Sequence, residues 1–408
     1  MERFDLQMQI PVRGQYDVIV AGGGVAGAAA ALSVARCGKK VLLTEKSTML
    51  GGLATMGLIN YFEPLCNGRG KKIISGMAEE FLLESVKYAW DTIPPPWKDG
   101  KSKETTARYV SFYSPYIFAL QLTEMLHDAG VTLLFDCNAM HPVMEGKHCT
   151  GVVTDSKSGL ELYTAKMIVD TTGDADLLRR SGMPTVTGQN YFTYIGRQVT
   201  LDGCRKALES GEARQAITSV CGGGASLYGS GQPEDVPLFT GTTVESVSEY
   251  LIRNQKVMLD KLKKQDRLAR EVTTLPAMPQ FRTTCRIDGD YTLREEDKYT
   301  HFPDSIAAIC DFDRRNFLYE VPYRTLTRAG YDNLITAGRS AAAVGYAWDI
   351  LRVIPPAIIT GQAAGEAVCQ AIDTGKAIWD IDISRLQNTL ETRGVMIHFD
   401  NNDIVKED

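Results

Sequence analysis

Glycines and an acidic residue near the N-terminus are spaced as a dinucleotide site requires. Residues 16–47 read YDVIVAGGGVAGAAAALSVARCGKKVLLTEKS, with Gly22, Gly24 and Gly27 at the G-x-G-x-x-G positions. The first glycine permits a tight turn, the second lets backbone approach a pyrophosphate, and the third lets a helix pack closely on its strand. Glu45 lies 23 positions after Gly22, where an acid binds a ribose hydroxyl. This constellation predicts a bound dinucleotide.

A strand–turn–helix–strand unit must position these residues. Val18, Ile19 and Val20 predict a buried strand, an alanine-rich helix follows the glycines, and Gly38 suits the end of that helix. The segment KVLLTE then predicts a second strand that ends at the acid. A glycine motif alone is weak evidence, because glycine turns occur in many α/β connections. The complete unit makes nucleotide binding the favoured interpretation.

Further glycines at strand ends favour FAD over NAD. Gly51 and Gly52 allow a second close backbone approach directly after the first unit, where an NAD domain usually continues with another βα unit. Residues 165–178, AKMIVDTTGDADLL, predict another buried strand before a glycine turn. Residues 331–340, YDNLITAGRS, predict a third, followed by a helix that begins near Pro355 or Pro356.

In these motifs the chain resembles the FAD-dependent oxidoreductases of the glutathione-reductase-like flavoprotein superfamily. The resemblance covers residues 16–372 and is carried by AGGGVAG, GGLATMGLINYFEP, TTGDADLL, RIDGDYTL, VPYRTL and NLITAGRSA with RVIPPAIITGQAAG. It implies that FAD is bound with its adenine half at the first glycine motif and its flavin ring near residues 51–52 and 339–361. Many relatives end the last motif strand with Ala-Gly-Asp, whereas Arg339 stands here, so this arginine could pair with a phosphate or face the flavin. The implied cofactor-binding residues are Gly22, Gly24, Val25, Ala26, Gly27, Glu45, Lys46, Gly51, Gly52, Leu53, Gly173, Asp174, Gly338, Arg339 and Gly361.

The implied fold is α/β, with a Rossmann-like FAD-binding domain that contains a parallel sheet and a β-meander. A second, α+β substrate domain with an antiparallel sheet accompanies it. We assign residues 1–87, 116–181 and 331–373 to a discontinuous FAD-binding domain, and residues 88–115 and 182–330 to the substrate or cap domain. Residues 374–408 are polar and predicted to be peripheral.

Composition excludes several other classes of function. The net charge of −6 and the scattered basic residues give no electrostatic footprint for nucleic acid. Nine cysteines without a C-x-x-C pair predict reduced thiols, no metal site and no disulfide-reductase chemistry. The absence of a signal-like N-terminus or a long apolar segment predicts a cytoplasmic protein without a membrane span. Homo-oligomerisation is left open.

A second glycine cluster does not predict a pyridine-nucleotide module. Residues 221–237, CGGGASLYGSGQPEDVP, follow no clear apolar strand and lead into a proline-containing loop, so we interpret them as a loop. The predicted reaction is therefore hydride exchange between the flavin and a small polar or anionic metabolite at a CH–OH or CH–CH centre, with an external electron donor or acceptor.

Arginines concentrated in the second half of the chain predict the substrate pocket. A carboxylate or hydroxyl-rich substrate suits their forked hydrogen bonds, although each could instead pair with a nearby acid and hold the fold. The residues of this group are Arg282, Arg286, Tyr323, Arg324, Arg339 and Arg352.

His301 is the predicted acid or base, because it lies between two motifs expected to cover the flavin and its pKa is ordinarily near neutrality. Asp304 is predicted to orient its ring, and Arg286, Arg352 and Tyr323 are the competing catalytic residues. Two alternative functions remain: a flavin enoate reductase that uses an arginine as proton donor, and a non-catalytic binding protein on the same scaffold.

Overall fold

The computed structural model describes residues 7–404, so residues 1–6 and 405–408 of the predicted domain segments lie outside the described residues. No helix in residues 7–404 combines the length and the apolar character needed to cross a membrane. The strands of this part are β1 (Val12–Ala21), β2 (Val41–Glu45), β3 (Tyr61–Phe62), β4 (Ser111–Phe112), β5 (Thr132–Phe135), β6 (Cys137–Glu145), β7 (His148–Ser156), β8 (Gly159–Asp170), β9 (Thr185–Thr187), β10 (Thr193–Thr200), β11 (Ile217–Gly224), β12 (Arg270–Thr274), β13 (Cys285–Ile287), β14 (Ser305–Cys310), β15 (Leu318–Pro322) and β16 (Leu334–Thr336). The α-helices are α1 (Val25–Arg36), α2 (Met77–Lys87), α3 (Pro95–Lys98), α4 (Pro115–Asp128), α5 (Asp176–Arg180), α6 (Leu201–Ser210), α7 (Val244–Leu262), α8 (Tyr346–Leu351), α9 (Ile354–Thr374) and α10 (Ile383–Thr392).

A seven-stranded mixed sheet forms the centre of the molecule. Strands β5, β2, β1 and β8 lie side by side in parallel, and β16 pairs in parallel with residues 168–170 of β8. The first half of β8 pairs antiparallel with β7, which pairs with β6. The predicted parallel sheet and meander are thus confirmed, and β8 belongs to both. Strand β2 and the last four residues of β1 are fully buried, which accounts for their mainly apolar sequence.

Helices α1 and α9 pack against each other through positions without side chains. A Cβ at Gly361 would lie 2.1 Å from the carbonyl oxygen of Ala26, and one at Gly365 would lie 2.6 Å from that of Ala30. A Cβ at Gly27 would lie 1.9 Å from the carbonyl oxygen of Gly22. Since real Cβ atoms cannot approach so closely, the glycines allow α1 to contact both its own strand and α9. Helix α9 begins with two prolines in its first turn, as predicted.

Smaller antiparallel sheets confirm the additional sheet-containing region. Strands β11, β10 and β12 form one of three strands, while β13–β9, β14–β15 and β3–β4 form pairs. Residues 221–224, predicted as a loop, instead complete β11. A Cβ at Gly223 would lie 2.3 Å from the carbonyl oxygen of Phe192, so this glycine serves close packing. The division into an FAD-binding and a substrate domain stays a prediction.

The segment after residue 373, predicted to be peripheral, contributes to the main core. The Ala308 N–H donates to the carbonyl of Met396 at 2.7 Å, and the Ser305 hydroxyl donates to that of Ile397 at 2.7 Å. Its polar composition concealed a set of apolar side chains that reach inward from an amphipathic helix and the extended chain after it. The buried ones are Ile378, Ile381, Leu386, Leu390, Val395, Ile397 and Phe399.

We expect Gly361→Ala to lower the free energy of unfolding by about 2 kcal/mol, because the added methyl must push α9 away from α1. Alanine is otherwise favoured over glycine inside a helix by about 1 kcal/mol, so the loss is diagnostic. Gly224→Ala is the matched control, since a Cβ there meets nothing within 4 Å. Denaturant unfolding curves of both variants provide the measurement. Equal stability of the two variants would contradict the close-packing account.

Candidate functional site

A cleft lies at the carboxyl ends of β1, β2, β8 and β16, the edge of a parallel sheet where ligands bind. It contains about 1300 Å³ of empty space, including a part open to solvent. Of the predicted cofactor-binding residues, Gly27, Asp174 and Gly361 are absent from its lining, whereas the others line it together with Arg352. Those in the lining are Gly22, Gly24, Val25, Ala26, Glu45, Lys46, Gly51, Gly52, Leu53, Gly173, Gly338 and Arg339.

Gly24 provides room that the protein itself does not fill. A Cβ at Gly24 would meet nothing within 4 Å, and the residue has an extended backbone that any residue can adopt. By contrast, Gly22 has φ of +98°, and a Cβ there would lie 2.6 Å from the carbonyl oxygen of Thr171. The chain therefore needs glycine at position 22 for its own turn, while glycine at position 24 keeps space free at the start of α1. This geometry fits a pyrophosphate seated on the helix N-terminus.

Glu45 is held rigidly at the edge of the cleft. Its Oε2 accepts the Gly23 N–H at 2.7 Å, and its Oε1 accepts the Ser47 N–H at 2.8 Å and hydroxyl at 2.7 Å. A carboxylate offers about four acceptor positions, so about one remains for a ribose hydroxyl. The buried acid thus fixes the glycine loop and retains the capacity that FAD binding requires.

Arg339 joins the turns that follow β8 and β16. Its Nε donates to the carbonyl of Gly173 at 2.7 Å, Nη1 to that of Phe281 at 2.6 Å, and Nη2 to Asp174 Oδ1 at 2.7 Å. Each of the three guanidinium nitrogens therefore donates within the chain, and the side chain is only 10% exposed. Asp174 holds Arg339 and does not line the cleft. The residue that replaces the usual acid has thereby become part of the cleft's scaffold.

Two other arginines give the cleft an unbalanced positive charge. Arg352 pairs with Asp349, to which its Nε and Nη2 donate at 2.8 and 2.7 Å. Arg282 also lines the cleft and donates to the carbonyl of Ser226 at 2.9 Å. Burial first, and then the charge of Arg352, lower the pKa of Arg282. In the described part of the chain, Arg282 forms no ion pair with a carboxylate.

Tyr323 and Arg286 lie outside the cleft lining. The Tyr323 hydroxyl is buried and donates to the carbonyl of Ile378 at 2.6 Å, and burial raises its pKa well above the usual value. The Arg286 guanidinium is buried over the ring of Trp348, with its carbon 5.7 Å from the ring centroid. The structure therefore places both residues in buried positions outside the cleft lining.

His301 also lies outside the cleft lining, and both of its ring nitrogens are occupied. Nδ1 lies 2.6 Å from Glu320 Oε1, and Nε2 lies 2.9 Å from Asn401 Oδ1. Asp304 does not orient this ring, because it pairs with Arg324 at 2.9 Å. The predicted acid–base role of His301 therefore stays a prediction without a nitrogen directed at the cleft.

Glu63 is the ionisable residue that the sequence analysis missed. It directly follows β3, which packs against α9, and its Oε2 is buried without a hydrogen-bond partner in the described structure. Burial raises the pKa of Glu63 to about 7, opposed by the backbone at Glu63 and Ile354 and by the charge of Arg352. Both Ile354 and Arg352 line the cleft. The available signal was a lone acid among the apolar residues of NYFEPL.

Comparison with known proteins agrees with this site. The sequence model of the family described as FAD dependent oxidoreductase matches residues 17–222 and 232–390. The chain is 30% identical over 162 residues to the tRNA uridine 5-carboxymethylaminomethyl modification enzyme MnmG of Exiguobacterium sibiricum. The aligned region covers 39% of this chain and 24% of that protein. It is 23% identical over 180 residues to the digeranylgeranylglycerophospholipid reductase of Methanoculleus marisnigri, 43% of each chain. The chain spans less than half the length of these curated relatives.

Similar solved structures include two proteins of comparable length. One is a geranylgeranyl bacteriochlorophyll reductase-like protein from Thermoplasma acidophilum, with a TM-score of 0.45, 13% identity, and coverage of 96% of this chain and 94% of that chain. The other is p-nitrophenol 4-monooxygenase from Pseudomonas putida, with a TM-score of 0.47, 15% identity, and coverage of 96% and 91%.

We expect the purified protein to be yellow and to release FAD on denaturation, and Gly24→Val to weaken FAD binding by about a hundredfold. The valine side chain would occupy the space that the pyrophosphate needs, while its Cβ would meet no protein atom within 4 Å. Gly224→Val is the matched control, because that position is equally open but lies far along the chain on β11. FAD content and titration of the FAD-free protein are the measurements. If both variants retain FAD equally, the assignment of Gly24 fails.

Proposed function

Because the chain belongs to the FAD dependent oxidoreductase family, we propose that this enzyme exchanges a hydride with a small anionic metabolite at a CH–OH or CH–CH centre. The bound FAD supplies the hydride chemistry. The observation that carries the substrate class is Arg282, a guanidinium group that lines the cleft and interacts with the Arg352–Asp349 ion pair. Arg282 itself forms no ion pair with a carboxylate among residues 7–404. A substrate carboxylate satisfies this guanidinium group with charge-assisted hydrogen bonds.

Glu63 is the proposed proton-holding group. Oxidation at a CH–OH centre requires a base for the hydroxyl proton, and a base works best when its pKa lies near the working pH. A pKa of about 7 meets this condition, and the unpartnered Oε2 leaves an acceptor free. Glu63 itself is absent from the cleft lining, but it interacts with Arg352, which lines the cleft and whose charge favours the ionised form of Glu63. Glu63 takes the role that the sequence predicted for His301.

Enoate reduction is the second candidate function, and Arg282 is the observation that favours it. Burial and the charge of Arg352 lower the pKa of this guanidinium, which makes it a better proton donor than an exposed arginine. Enoate reduction does not require Glu63 to accept a proton. The two candidates therefore differ in which of the two residues controls the rate.

Helix α9 supports either reaction through its orientation. Ile354 and Ala357, in its first turn, line the cleft. The N-terminal end of a helix carries a partial positive charge, so it stabilises negative charge placed beside it. We propose that this end of α9 faces the part of the bound flavin that becomes negatively charged on reduction.

We expect Arg282→Gln to raise KM for a hydroxy-acid substrate by about tenfold to a hundredfold, because a charge-assisted contact to the carboxylate is lost. FAD content should stay unchanged. Arg324→Gln is the control, since Arg324 pairs with Asp304 outside the cleft lining. Anaerobic reduction of the flavin by hydroxy acids and neutral sugars, and anaerobic reoxidation of the reduced flavin by enoates, give the measurement. A variant that loses activity equally toward neutral and anionic compounds would exclude the proposed carboxylate contact.

We expect flavin reduction by a CH–OH substrate to increase with pH up to a plateau above about 7, and Glu63→Gln to lower the plateau rate by about a hundredfold. The pH dependence of the protein's stability should also reflect the titration of Glu63. Its folded-state pKa lies above the ordinary 4.5, so stability is fully present at low pH and is lost as pH rises toward about 7. The Tm advantage of Glu63→Gln should therefore be larger at pH 8 than at pH 5. A pH-independent Tm difference would contradict the raised pKa, and an unchanged rate with hydroxy acids would favour the enoate reaction.

A further inference from the structure

Three side chains outside the cleft form a cluster with the donor set of a metal site. Glu320 lies on β15 and its side chain is completely buried. His301 Nδ1 lies 2.6 Å from its Oε1, and His398 Nδ1 lies 2.9 Å from its Oε2. One ligand atom from each residue falls within 4.8 Å of the others. Among residues 7–404, no other group of three histidine, cysteine or acidic residues has such spacing.

The buried carboxylate needs a positive partner within this cluster. The Phe302 N–H donates to Glu320 Oε2 at 2.7 Å, but the ion pairs of Glu320 in the described structure involve the two histidines and no lysine or arginine. A buried carboxylate without a cation is strongly disfavoured. The imidazoles of His301 and His398 therefore neutralise the negative charge of Glu320 only when they are protonated or when a metal ion is bound with them.

The surroundings of His301 suit a metal ligand. Both of its nitrogens face oxygen acceptors, Glu320 Oε1 and Asn401 Oδ1, while a neutral imidazole has a single N–H. If Nε2 carries the proton and donates it to Asn401 Oδ1, Nδ1 is unprotonated. Its lone pair is then directed toward Glu320 Oε1, the neighbouring candidate ligand. This is the arrangement in which a hydrogen bond to the far nitrogen orients a metal-bound histidine.

We propose that His301, Glu320 and His398 bind a divalent transition-metal ion, for which Zn²⁺ is the best-suited candidate. Two imidazole nitrogens and a carboxylate oxygen are ligands that Zn²⁺ accepts at about 2.0–2.2 Å. Ligand atoms in a tetrahedral zinc site lie about 3.3 Å apart, so His301 Nδ1, now 2.6 Å from Glu320 Oε1, must move away by about 0.7 Å to admit the ion. The histidine side chains are 38% and 45% exposed, which gives the ion an entry path and water a fourth position.

The ion fastens the C-terminal segment to the β14–β15 hairpin. Glu320 is on that hairpin, His301 precedes it, and His398 with Asn401 come from the end of the described chain. The main-chain bond between Ala308 and Met396 lies beside this junction. Sequence analysis predicted no metal, because 19 and 78 residues separate Glu320 from the two histidines. Since the cluster does not line the cleft, its role is structural.

The test is calorimetric titration of the chelator-treated holoprotein with ZnCl₂ at pH 7.5. We expect one ion per chain and a Tm that rises with Zn²⁺ concentration. His398→Gln and His301→Gln should each weaken the affinity by about a hundredfold while FAD content is retained. His127→Gln is the control, because that histidine is exposed and its ion pair is with the similarly exposed Asp128. Titration with Co²⁺ identifies the ligands, since nitrogen and oxygen ligation lacks the intense charge-transfer absorption of thiolates.

Three results would each overturn the proposal. The first is an absence of saturable one-to-one binding, which would leave the cluster as a pair of imidazolium–carboxylate contacts. The second is equal affinity in the His398→Gln, His301→Gln and His127→Gln proteins. The third is thiolate absorption with Co²⁺, which would place the ion on some of the nine free cysteines.

Discussion

The close approach of α1 and α9 is the constraint on which the cleft depends. Gly361 and Gly365 bring α9 onto the backbone of α1, and Gly27 brings α1 onto the end of its own strand. Both helices consequently begin at the same edge of the sheet, where their first turns line one cleft. Helix N-termini favour anionic groups, so one packing arrangement brings to the cleft the two helix ends that we propose bind the pyrophosphate and the reduced flavin. The glycines act at a distance from the ligand by setting where the helices start.

Buried acids make the rim of this cleft rigid. Asp170, at the end of β8, accepts the N–H groups of Leu177 and Leu178 at 2.9 and 3.0 Å, and that of Thr172 at 3.0 Å. Burial raises the pKa of Asp170 to about 6 despite these bonds. Beyond it, the Asp174–Arg339 pair connects the turn after β8 to the turn after β16. A cofactor that enters such a site meets groups already in place, which reduces the entropy lost on binding.

The sequence could predict the parts of this structure that depend on residues close together in the chain. Glycine spacing, strand apolarity and the Pro355-Pro356 helix start are local signals, and with the family resemblance they predicted the parallel sheet, the meander and twelve of the residues that line the cleft. What Arg339 and His301 touch is decided by chain segments more than a hundred residues away in some cases, as with Arg339 and Gly173, so type and position could not assign their partners. The C-terminal segment was misjudged because composition averages over the inward face of α10. Glu63 was overlooked because its burial arises from the packing of α9 on β3.

The main sheet is built from segments that lie far apart in the chain, and this determines the order in which its parts become available during synthesis. Strand β16 and helix α9 complete the sheet and cover α1, yet they lie roughly 320 residues after α1 ends. At a synthesis rate of about 5–20 residues per second, the alanine-rich face of α1 lacks its partner for on the order of half a minute. During that interval the nascent chain exposes apolar surface and an incomplete sheet edge, the features that invite aggregation and chaperone binding. The glycine contacts between α1 and α9 shape the cleft. Because they require α9, the cleft forms late in the synthesis of the protein.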